Sequence, residues 1–303
     1  MKNVFVFCFA LFVTNTMVAQ NRLTDTTATC VAYWKNKESK VFLVKNIKDQ
    51  KVDSSTQSHL EFSYEAHITV KDSTKDGYTV EWKNENYTSD DPSMSQVNMF
   101  FKNLKFIYKT DKNGDFSELV NWEEVRDFYV NLGALSIPKN NDTAQAVWEK
   151  TKALFQTREA VENTLIKDVQ MFHTFYGGEY PTRKQSAETI LPNPFGGQPI
   201  PALTTVQVSR LQKNSPTCTV RTTQEIDQGK AGIFIADLLK ALGMPEAKTR
   251  EELEEAFKYF SLRDEAEIEL QVKTGWPVSL RFKRVAKMMS TLQTDTYSFT
   301  IKQ

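Results

Sequence analysis

His59-Leu60-Glu61-Phe62-Ser63-Tyr64-Glu65-Ala66-His67-Ile68-Thr69-Val70 alternates without a break. Leu60, Phe62, Tyr64, Ala66, Ile68 and Val70 fall on one face of an extended chain; His59, Glu61, Ser63, Glu65 and His67 fall on the other. Strict period two predicts an antiparallel sheet with one face on a core and one in water. Working outward, Lys71 to Gly77 reads as a polar loop, and Tyr78, Val80 and Trp82 resume the apolar face. Phe100, Leu104, Phe106 and Tyr108 do so again before a turn at Asp111-Lys112-Asn113-Gly114, which makes a meander.

The period then changes. Asn121 with Glu124 three residues on has the form of a capping box, and Val125, Phe128, Tyr129 and Leu132 follow at helical spacing up to Gly133. A second helix is expected from about Asp142. A third is expected from about Arg158, through Val161, Leu165, Val169, Phe172 and Tyr176 to Gly177-Gly178. After the Pro- and Gly-dense run at 191–201, strands are expected at 204–211 and 217–226, and helices at 231–242 and 250–260. The end of the chain reads as a hairpin. Centred on Gly275, it places Glu269 opposite Arg281, Glu267 opposite Lys283 and Ile268 opposite Phe282. The order is strands about 30–118, helices about 122–176, strands about 182–226, helices about 231–260 and strands about 264–302. It predicts one α+β domain over 20–303: an antiparallel β-sheet in two meander halves with amphipathic helices packed on one side.

Residues 1–19 have the three parts of a secretory signal peptide: Lys2, an apolar run from Val4 to Val13, and a polar exit ending in Ala19 before Gln20. The apolar run is shorter than the about 20 residues a span requires, so an exported chain, periplasmic or secreted, without a transmembrane anchor is expected. Removing Lys2 leaves the mature chain one positive charge short of its 38 acidic residues. That balance offers no general attraction to nucleic acid or anionic membrane. Cys30 and Cys218 survive processing; in an oxidising compartment they form either a bridge or two buried thiols.

The leader ending in Ala-Gln resembles those of exported Bacteroidota proteins. The β-helix-β layout and the Lys273-Thr274-Gly275-Trp276-Pro277 turn are similar to uncharacterised exported β-rich families of that group. That resemblance implies O-glycan acceptors at Thr26, Ser73 and Thr143, where Asp25-Thr26-Thr27, Asp72-Ser73-Thr74 and Asp142-Thr143-Ala144 match the Asp-Ser/Thr pattern. It implies no catalytic residues. Asn86-Tyr87-Thr88 and Asn141-Asp142-Thr143 fit the asparagine acceptor pattern.

Chemistry is sparse. The sequence has no Gly-x-Ser-x-Gly elbow, phosphate loop, CxxC pair or HExxH helix. His59 and His67 share a strand face with Glu61 and Glu65, but at about 3.3 Å per residue they stand roughly 26 Å apart and cannot share an ion. His173 is either a packed core histidine or an imidazole base. No catalytic residue, cofactor or metal is assigned. The leading expectation is a non-enzymatic binding protein, sharpest as an envelope carrier of an apolar or lipid-like small molecule, with Phe172 and Tyr176 of the helices facing a cavity. The alternative is a protein-interaction module, an envelope assembly factor or periplasmic inhibitor that grips an envelope protein through Phe195 and Trp276. A hydrolase with an unrecognised site is the third reading.

Overall fold

The computed structural model describes residues 27–91, 101, 104–137, 141–153, 155–191, 200–209, 216–226, 261–288 and 290–302. The strands are β1 (Thr27–Thr29), β2 (Ser39–Val52), β3 (Ser55–Ser73), β4 (Gly77–Ser89), β5 (Lys105–Asp111) and β6 (Phe116–Leu119). Helices α1 (Trp122–Ser136), α2 (Asp142–Ala153), α3 (Arg158–Leu165) and α4 (Lys167–His173) follow. Then come β7 (Glu179–Pro181), β8 (Gln185–Leu191), β9 (Ile200–Ser209), β10 (Thr217–Ile226), β11 (Ser261–Gln271), β12 (Pro277–Met288) and β13 (Thr291–Ile301).

The result is an α+β fold built on an eleven-stranded antiparallel sheet, ordered β6-β5-β4-β3-β2-β13-β12-β11-β10-β9-β8. The first and last long strands of the chain, β2 and β13, pair side by side, so the two meanders join at the middle of the sheet. One row of partners shows how the alternation builds the core. Val208, Val220, Ile268, Leu280, Phe299, Val44 and Tyr64 face one another across successive strands, and all are buried. The opposite face is wet and laced with ion pairs such as Lys45–Glu61 (3.0 Å), Lys302–Glu65 (2.6 Å) and Arg263–Glu225 (2.8 Å). Exposed pairs of this kind contribute about 0–1 kcal/mol each.

β3 carries the quoted alternation, with Tyr64, Ala66, Ile68 and Val70 buried. The helices depart from expectation in three ways. Asn121 does not cap α1 through its side chain. Its Oδ1 instead accepts from the Ile107 amide (2.8 Å) and its Nδ2 donates to the Lys105 carbonyl (3.0 Å), which ties the helix start to β5. Gly133 lies inside α1 rather than at its end, because the Trp148 ring of α2 packs where a Cβ would project. The helix expected from Arg158 to Tyr176 breaks at Ile166 into α3 and α4. The helices expected at 231–242 and 250–260 lie outside the described residues.

The hairpin forms two residues out of the expected register: Glu267 opposes Arg281, Glu265 opposes Lys283 and Ala266 opposes Phe282, with a bulge at Glu269/Leu270. Its turn is closed by bonds from the Gln271 amide to the Trp276 carbonyl (2.9 Å) and from the Gly275 amide to the Gln271 carbonyl (2.8 Å). Gly275 has φ +71°, and a Cβ there would lie 2.1 Å from the Val31 carbonyl oxygen. Both the left-handed backbone and the backbone neighbour exclude a side chain. Gly275→Ala is therefore expected to lower the unfolding free energy by about 2 kcal/mol, read from urea titration. An unchanged midpoint would mean that Val31 does not press on the turn.

Candidate functional site

The N-terminal extended segment stitches three turns together at one end of the sheet. Cys30 exchanges backbone bonds with Gly177 and Gly178, the Ala32 amide donates to Asn113, and the Tyr33 amide donates to Thr274. Trp34 is thereby delivered into the core, where it stacks on Trp276 with ring centroids 4.6 Å apart. Tyr78, His173 and Tyr176 pack around Trp34 at 5.3–5.8 Å.

Trp276 has no exposed surface, so it is not the surface anchor that the interaction reading required. The turn beside Pro277 is roofed by the 30–34 segment. Phe172 and Tyr176 are likewise packed core. Phe172 meets Phe42 and Trp82 at 5.1 and 5.5 Å, and the Tyr176 hydroxyl donates to the Gly275 carbonyl (2.6 Å). Phe195 and Thr26 lie outside the described residues, while Ser73 and Thr143 are exposed.

The groups with chemical capacity have structural roles. His173 is buried; its Nδ1 donates to the Gly114 carbonyl (2.6 Å), which fixes the tautomer so that Nε2 accepts from the Tyr108 hydroxyl (2.9 Å). Burial holds its pKa down at about 4, against the opposing pull of the Gly114 bond. Cys30 and Cys218 are buried free thiols. Burial pushes Cys218 up to about 11 and raises Cys30 as well, with the neighbouring Cys218 adding to the latter. Burial of this kind suppresses the thiolate on which nucleophilic attack depends. His59 pairs with Asp49 (2.7 Å), and His67 lies 3.6–3.7 Å from Glu65 and Glu85 on the wet face. No group of three or more metal-ligating side chains occurs among the described residues.

A different cluster, missed in the sequence, lies where the helices meet the inner face. Moving two residues along the sheet from the Phe299–Val44–Tyr64 row gives Tyr297, Asn46 and Phe62, and two more give Asp295, Lys48 and Leu60. The floor thus passes from filled core through half-buried aromatics to charge. On it, Phe62, Tyr64 and Tyr87 lie with ring centroids 5.2–5.9 Å apart. Phe101 continues the cluster from Tyr87 (5.6 Å) to Phe128 and Tyr129 of α1 (5.2 and 5.9 Å).

Asp168, in the first turn of α4, accepts a short hydrogen bond from the Tyr64 hydroxyl. Its carboxyl is raised above the ordinary range by burial, opposed by Tyr64 and Lys167. The phenols of Tyr64, Tyr87, Tyr129 and Tyr297 are raised too, chiefly by burial, and each also feels the Asp168 charge. The neighbouring Lys167 ammonium lies over the Tyr297 ring, 5.4 Å from its centre. Farther out, an open groove of about 510 Å³ separates α1 from α2. Its lining of Arg126, Asp127, Glu149 and Lys152, with Val130 and Gln156, is too charged to hold an apolar molecule.

No family model and no curated protein matches this chain. Among solved structures it is similar to lipovitellin, from a study of that protein's lipid–protein interactions, at 9% identity and a TM-score of 0.39. The match covers 89% of this chain and spans about a quarter (25%) of the lipovitellin chain. Among the described residues no helix is long and apolar enough to cross a membrane.

Proposed function

We propose that this chain is an exported binding protein that carries an apolar or lipid-like small molecule in the aromatic seam between α1, α4 and the sheet. The observation that supports this reading is the incomplete burial of Phe62, Phe101, Phe128, Tyr129 and Tyr297, all in one contiguous cluster against the core. Large rings in a finished core lose nearly all contact with water, as Trp82, Phe172 and Trp276 do here. A contiguous set left half covered marks a surface with something still to bind. The row of Asp295 and Lys48 bounds the rings with charge at one edge. The interaction reading loses Trp276 as an anchor, and His173, bonded through both ring nitrogens, is not free to act as a base.

The test is titration of the delipidated full-length protein with N-phenyl-1-naphthylamine, competed with single-chain lipids. Saturable one-to-one binding at about micromolar Kd is expected. Phe62→Ala with Phe128→Ala should weaken it about tenfold or more while the fold persists by circular dichroism. A linear, non-saturating response, or full affinity in the double variant, would remove the seam as the site.

A further inference from the structure

The seam is not chemically neutral, and its polarity has a sign. One carboxylate, Asp168, accepts from the Tyr64 hydroxyl of β3, and its charge reaches the phenols of Tyr87 of β4, Tyr129 of α1 and Tyr297 of β13. The described structure gives Asp168 a neutral hydroxyl as hydrogen-bond partner, not a basic side chain. The other charges near the seam largely answer one another. Arg284 is held by Asp264 through two bonds of 2.7–2.8 Å, and Asp295, which accepts from Asn46 (2.6 Å), stands between Arg284 and Lys48 across the strands.

Aromatic faces carry negative quadrupole potential and attract cations, most strongly where water is excluded. Rings combined with a carboxylate whose hydrogen-bond partner is neutral select positive charge. The seam already shows that preference in the Lys167 ammonium over Tyr297.

Resting on the carrier reading, we propose that the seam selects amphiphiles with a cationic headgroup, an amine or quaternary ammonium, seated on Tyr297 and its neighbouring tyrosines against Asp168. Lys167 occupies part of that position and is displaced when ligand enters.

Three probes of equal chain length separate this from simple apolar binding: dodecyltrimethylammonium, dodecyl maltoside and dodecyl sulfate, each kept below its micellar concentration and titrated calorimetrically into the full-length protein. The trimethylammonium probe should bind at least about tenfold tighter than the maltoside and tighter still than the sulfate. Lys167→Gln, at an exposed position, should strengthen the cationic probe about threefold or more and leave the maltoside unchanged. Asp168→Asn should abolish the preference between those two probes. If Asp168→Asn does not fold, Lys167→Gln alone still decides. Equal affinity for all three probes, or tighter sulfate, would overturn the cationic preference and leave the carrier reading standing. Binding of none would overturn both.

Discussion

Trp276→Ala is expected to lower the unfolding free energy by about 4 kcal/mol, the cost of emptying a fully buried indole site. The magnitude follows from what the ring touches. It stacks on Trp34 at 4.6 Å with planes 24° apart, and it reaches Phe42 at 6.3 Å. Truncation would leave a void between the turn and the N-terminal segment, and both are held there by backbone bonds that limit collapse. Neither indole N–H of the pair finds an acceptor among the described residues. Trp276→Phe, which gives up that group and keeps most of the apolar area, should therefore cost far less, about 1–2 kcal/mol. Trp34→Ala combined with Trp276→Ala should cost less than the two single effects added, because the stacking contact can be lost only once. Urea unfolding of the wild type and the four variants checks this. A Trp276→Ala change below about 0.5 kcal/mol is what an exposed side chain would give, and it would return Trp276 to the surface.

That tryptophan also shows where sequence reading stops. Its turn was legible, because Gly275 beside Pro277 ends two alternating strands. Its burial was not, because the cover comes from residues 30–34, far away in the chain and without a periodic signal. The hairpin register illustrates a related limit. Charge alternates with period two on both strands, so a slip of two residues restores opposite charges across the pair and keeps every side chain on its face. Pattern matching fixes parity, and a bulge at Glu269/Leu270 together with the turn bonds then chooses among the permitted registers.

The long alternation of β3 was legible for the opposite reason: a single-residue slip there would have put Ile68 and Val70 in water. The seam was hidden because its members come from β3, β4, β13, α1 and α4, and each of them reads locally as an ordinary core aromatic. Asp168 carried a weak signal, as a carboxylate between Lys167 and the apolar Val169 at the start of a helix, which is also where an ordinary dipole-stabilising acid belongs.

His173→Gln should change the response of stability to acid by about 3 kcal/mol between pH 7 and pH 4. The glutamine amide is neutral at both pH values and retains a donor for the Gly114 carbonyl and an acceptor for the Tyr108 hydroxyl. The sign follows from the folded-state pKa of His173, about 4, lying below the ordinary value of 6.5. The unfolded chain takes up the proton first. The stability that neutral His173 contributes is therefore complete above about pH 6.5 and is lost as the pH falls toward 4, at about 1.4 kcal/mol per pH unit.

Asp115, next to the Gly114 carbonyl, acts in the other direction. Burial and the neighbouring Asp111 raise its carboxyl to about 6, so the folded state holds that proton and gains stability as the pH falls from 6 to 3.8. In the wild type the two effects oppose each other over nearly the same window, so its acid curve alone isolates neither. Subtracting the His173→Gln curve removes the Asp115 contribution, which both proteins share. The variant should be about 1 kcal/mol less stable than wild type at pH 7, where its longer side chain fits the imidazole site imperfectly, and about 2 kcal/mol more stable at pH 4. A difference that stays constant from pH 7 to pH 4 would mean that His173 titrates as it does in water, and the buried Gly114–His173–Tyr108 relay would have to be abandoned.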